Sequence, residues 1–170
     1  MRAIITGVIV LLTIAAQSTL MQYVQFYGIK PNIIIVVIIS IALLRGSREG
    51  AAVGAFAGML YDFIFGRAFG AGTLMGLLLG LSVGTLNRRL YKENLLVVVL
   101  ITFLFTFCFE FPIALYSMLN YRGESIIILI MDVVLKEALY NCVAAVFVHY
   151  IICRANNKLT RIERVRKRQY

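Results

Sequence analysis

Apolar positions gather into six runs: Ala3–Val24, Pro31–Leu44, Gly50–Phe65, Gly70–Leu86, Leu95–Leu119 and Ile126–Cys153. Several approach or exceed the roughly 20 residues that cross a bilayer core. The second run is short and rich in β-branched residues, which in water would suggest a strand. In lipid an isolated run must satisfy its own backbone groups, and helix does so. Tyr23, Phe26 and Tyr27 precede that run as candidate interfacial anchors. The pattern predicts an all-α, polytopic membrane bundle of about six spans. Arg2, the apolar stretch after it and Ala15, Ala16 and Ser18 have the makings of a cleavable leader, but the run is long enough to span and others follow. A retained first helix is the expectation.

Within the third and fourth runs glycine recurs every four residues, at Gly50, Gly54 and Gly58 and again at Gly72, Gly76, Gly80 and Gly84. On a helix that spacing forms one slowly rotating stripe. Two adjacent stripes predict either a tight helical hairpin or a groove for a partner, because small residues permit close backbone approach where lipid gives no hydrophobic drive. Asp62 continues the first stripe by four residues.

Composition agrees with a membrane solvent: 61% of the 170 residues are hydrophobic and 15% charged. The net charge of +9 is mostly a topology signal. With the N-terminus cytoplasmic, that side carries Arg2, Arg45, Arg48, Arg88, Arg89, Lys92 and the basic end of the chain, against Lys30, Arg67 and Arg122 opposite. Both termini are therefore expected in the cytoplasm, with residues 1–153 forming the membrane domain and 154–170 a basic tail. Arg161, Arg164, Arg166, Lys167 and Arg168 suit anionic lipid or a cytoplasmic protein partner better than nucleic acid, since the tail begins where a membrane helix ends.

Five ionisable residues interrupt the spans: Asp62, Glu110, Asp132, Lys136 and Glu137. At 1.5 Å per residue all fall in or near the outer half, where charge should face the bundle interior or a water-filled cavity. Lys136 is the one cation among them: it can pair with Asp132 on its own helix and be reached by Asp62 or Glu110 across helices, which leaves at least one acid to be protonated, hydrated or paired with a partner protein. Pro112 is expected to kink the fifth helix. Thr6, Thr13 and Gln17 share a face of the first helix and suit interhelical hydrogen bonds. His149 and the scattered Cys108, Cys142 and Cys153 read as packing residues. With no nucleophile motif, phosphate loop or metal box, the sequence predicts no catalytic, cofactor or metal site.

The segment "KPNIIIVVIISIALLRGSREGAAVGAFAGMLYDFIFGRAFGAGTLMG" resembles the core of the rod shape-determining protein MreD family. Pro31 and Asn32 open the second span, Gly54, Gly58 and Asp62 match a glycine-rich third span ending in an acid, and Gly70 matches the glycine turn. Tyr140 and Asn141 in "LYNCVAAV" resemble the C-terminal element. The chain departs from the family pattern at Gly72, where a polar or aromatic residue is usual. The resemblance implies a non-enzymatic inner-membrane component of the bacterial elongation machinery. It would bind MreC and couple MreB filaments to the peptidoglycan synthases. The same six-span architecture is similar to the substrate-capture subunits of energy-coupling-factor vitamin transporters, which makes small-molecule capture the alternative.

Overall fold

The computed structural model describes residues 2–19, 23–25, 29–65, 70–88, 94–120 and 133–167. For Arg88, residues 111–120 and residues 162–167 it describes the backbone. Among the described residues six α-helices follow one another: α1 (Arg2–Thr19), α2 (Ile33–Arg45), α3 (Ser47–Phe65), α4 (Ala71–Thr85), α5 (Leu95–Asn120) and α6 (Leu135–Lys167). A 3-10 turn, Leu86–Arg88, extends α4. No strand occurs among the described residues.

The boundaries follow local chemistry. Helix α1 is described as far as Thr19, and residues 23–25, at the end of the first apolar run, are not helical. Helix α5 remains helical through Pro112. Helix α6 runs continuously to Lys167, through the first residues of the basic tail. Its 33 residues make a rod of roughly 50 Å at 1.5 Å per residue.

Helix α2 is the centre of the molecule. Its residues from Ile34 to Leu43 are all buried, on every side of the helix. A helix that is apolar all round needs partners all round; α1, α3, α4, α5 and α6 each pack against it. Val10 and Ile14 of α1, Val53 and Ala57 of α3, Leu79 and Val83 of α4, Val98 and Ile101 of α5 and Ala145 and Ile152 of α6 complete the core. At 13 residues α2 is only roughly 20 Å long, well short of the hydrocarbon thickness. The backbone polar groups left over at its two ends need partners.

Helices α3 and α4 form the closest pair. The stripes meet antiparallel, with Gly50 against Gly80, Gly54 against Gly76 and Gly58 against Gly72. A Cβ on Gly50 would stand 2.7 Å from the Gly80 carbonyl oxygen and 2.6 Å from the Ala42 Cβ of α2. A Cβ on Gly54 would collide with the Gly76 carbonyl, backbone that cannot step aside. Gly84 closes the row against the backbone at Ser47. The stripes fill one another and form a close seam between α3 and α4.

Candidate functional site

Asp62 lies at the end of the glycine stripe, and the structure gives it a partner there. It is 2% exposed, and its carboxylate accepts four hydrogen bonds from the start of α4. Gly72 N donates to Oδ1 at 2.9 Å. Gly70 N donates to Oδ2 at 3.1 Å, Thr73 N at 3.0 Å and Thr73 Oγ1 at 3.1 Å. The first N–H groups of a helix have no partner within it and carry the positive end of its dipole, so an anion there is stabilised twice over. Gly70 occupies the cap position with φ +94, a left-handed conformation that suits glycine, and has no side chain with which to cap. Asp62 supplies the cap from the neighbouring helix.

The departure at Gly72 follows from the same geometry. A Cβ there would collide with Asp62 Oδ1 and come within 3.0 Å of its Cγ. A larger residue at 72 and this carboxylate position exclude each other.

A second polar centre closes the start of α2. Asn32 N donates to Asn141 Oδ1 of α6 at 2.6 Å, and Ile33 N donates to Gln17 Oε1 of α1 at 2.9 Å. Ile35 N reaches Asn32 Oδ1 at 3.4 Å. Pro31 has no N–H to satisfy, and its carbonyl accepts from Gln17 Nε2 at 3.1 Å. Asn141, fully buried, donates from Nδ2 to Thr106 Oγ1 of α5 at 3.2 Å. Four helices are thus joined through the Pro31–Asn32 pair, Gln17 and Asn141. Tyr140, next to Asn141, is half-buried.

At the other end of α2, Arg45 gathers three neighbours. Its Nη1 donates to Thr6 Oγ1 of α1 at 2.7 Å, and its Nε donates to Asn156 Oδ1 of α6 at 2.9 Å. Nη1 also lies 3.4 Å from Glu49 Oε2 of α3, a pair in which the Arg45 side chain is 5% exposed and that of Glu49 45%. The half-exposed acid contributes little, and the two short neutral bonds hold the guanidinium. Gly46, at φ +93, turns the chain directly into α3, and Asn87 Nδ2 donates to the Leu43 carbonyl.

Of the residues expected around Lys136, Asp62 is held elsewhere. Asp62 commits its carboxylate to α4, so its anchor is a helix terminus and not an ammonium. Lys136 is exposed on α6, Glu137 and Glu110 are half-buried, and Asp132 lies outside the described residues. Of the basic tail, Arg161 is exposed; the side chains of Arg164, Arg166 and Lys167, and the whole of Arg168, lie outside the described residues. Thr13 bonds within its own helix to the Ile9 carbonyl. His149 is buried on α6.

Arg45, Thr73, Asn87, Thr106 and Asn156 were not singled out by the sequence as site residues. Arg45 beside Gly46 reads as a flanking charge, and nothing in "RANNK" distinguishes the asparagine that binds it. Gln17 did carry a signal, as an amide on the polar face of an apolar helix.

Polar side chains committed to helix ends in the interior, with Ile4, Phe63, Leu96, Leu100 and Phe147 turned outward, define a helical membrane protein. Helix α1 and residues Leu135–Arg161 of α6 are each long and apolar enough to cross a bilayer. The chain belongs to the rod shape-determining protein MreD family, whose model matches residues 1–155. Its role accordingly lies in determining rod shape. No curated protein and no solved structure matches the chain. Among the described residues no group of three His, Cys, Asp or Glu side chains is placed to hold a metal ion.

Proposed function

We propose that this chain is a non-enzymatic scaffold of the bacterial cell-elongation machinery, a six-span protein of the inner membrane with both termini in the cytoplasm. It binds an MreC-like membrane protein and, directly or through it, links MreB filaments to the peptidoglycan synthases. The observation that carries this reading is the family match over residues 1–155. The site chemistry supports it: the buried carboxylate of Asp62 and the buried amides of Gln17 and Asn141 hold helix termini. Each such group is occupied in keeping the bundle rigid, which suits a scaffold. The charge asymmetry along the chain supports the orientation.

Depletion of the chain in its own bacterium should convert rods to spheres, and re-expression should restore rods. Cells that keep their shape on depletion would reject the proposal.

A further inference from the structure

We propose that the outward face of α6 binds an anionic phospholipid, with an acyl chain along Val143, Phe147 and Tyr150 and the headgroup phosphate between Arg154 and Lys158. The inference rests on this helix face alone and is independent of the shape-determining role. Val143, Phe147, Tyr150, Arg154, Lys158 and Arg161 are spaced four, three, four, four and three residues apart, which keeps them on one stripe of a helix. Val143 is 62% exposed, Phe147 67% and Tyr150 60%, and the three cations are exposed as well. The stripe changes from apolar to cationic within one turn, between Tyr150 and Arg154.

The rotational setting of that stripe is fixed from behind. The opposite face of α6 is buried at Asn141, Ala145, His149, Ile152 and Leu159, and Asn156 on that face is bonded to Arg45. The cations are therefore held away from the bundle, on the side where the apolar half of the stripe meets lipid. Arg154 and Lys158 lie one turn apart, roughly 6 Å along the axis, so both can reach one phosphate. Arg161, roughly 10 Å beyond Arg154, can extend its stem back toward the headgroup layer. From Ala138 to Arg161 the helix contains no acid to compete for these charges. A phosphodiester with an acyl tail matches both halves of the surface, whereas an acidic protein segment matches the cationic half alone.

The chain has no tryptophan, so Tyr150→Trp places a single reporter on the stripe of the full-length protein. In vesicles, quenching by brominated phosphatidylglycerol diluted into phosphatidylcholine is compared with quenching by brominated phosphatidylcholine at equal fraction. The site predicts roughly fivefold enrichment of the anionic lipid, about the effect of one basic side chain at a membrane surface. A Phe63→Trp reporter on α3 should show none. Combining Arg154→Gln, Lys158→Gln and Arg161→Gln should abolish the enrichment, and Arg164→Gln, Arg166→Gln, Lys167→Gln and Arg168→Gln together should leave it. Equal quenching of the Tyr150→Trp reporter by the two lipids would overturn the site, and so would enrichment lost in the distal variant but kept in the proximal one. Equal enrichment at both reporters would overturn it too, by showing general attraction to a basic protein.

Discussion

Asp62 and Gly72 are a matched pair, since the room that glycine leaves is the room the carboxylate uses. Asp62→Asn keeps an acceptor for part of the α4 terminus and loses the charge that favours the dipole. It should cost about 1–2 kcal/mol of stability in micelles. Asp62→Leu leaves several donors unsatisfied and should cost roughly 3 kcal/mol or more. Reversible unfolding of the two variants checks that order. Because Asp62 is held by three backbone N–H groups and the Thr73 hydroxyl, exchanging charges through Asp62→Lys with Lys136→Asp should recover no stability. Recovery would show an ion pair in place of a cap. The sequence revealed that Asp62 is unusual, from its depth in an apolar run. It did not reveal the partner, because backbone N–H groups at a helix start leave no residue type to read, whereas Lys136 stood out as the one visible cation.

Among the elements, the α3–α4 hairpin was the most legible. Glycine spaced by four on both sides of a short connection fixes which faces meet, and the antiparallel pairing of Gly54 with Gly76 follows. Gly54→Ala or Gly76→Ala puts a methyl into a facing carbonyl and should push the helices apart at a cost of roughly 1–3 kcal/mol. Gly7 in α1 has nothing within 4 Å of a Cβ, so Gly7→Ala should be neutral or slightly stabilising through helix propensity, within about 1 kcal/mol. Disulfide cross-linking between cysteines placed on α3 and α4, together with unfolding, separates these outcomes. A Gly54→Ala protein as stable as Gly7→Ala would show that the seam is loose. Helix α2 was harder to read. Its run of β-branched residues shows that it is apolar on all sides, but not that it is the hub touched by each of the other described helices. That position arises from long-range packing and from side chains such as Gln17 and Asn141, far from it in sequence.

For the molecule as a whole, the two ends of α2 decide whether the helices act as one body. Gln17 and Asn141 tie one end to α1 and α6, and Arg45 ties the other to α1, α3 and α6. Arg45→Gln retains polarity but cannot reach Thr6 and Asn156 together, and should cost about 1.5–3 kcal/mol with the basic end of α6 loosened. Hydrogen exchange over residues 154–161 reads that loosening, and unchanged protection there would show that Asn156 is not held by Arg45. A charge beside a turn is read from sequence as an orientation signal, and nothing local marks it as a buried tie. We propose that this helical body serves as a scaffold with a membrane partner in the elongation machinery. The direct measurement is affinity purification of the tagged full-length chain from native membranes at its normal expression level. Recovery of MreC in a constant ratio to the chain, lost with Gly54→Leu although that variant still inserts, is the predicted result. Recovery without MreC, or with a vitamin and an ATPase module in its place, would contradict it.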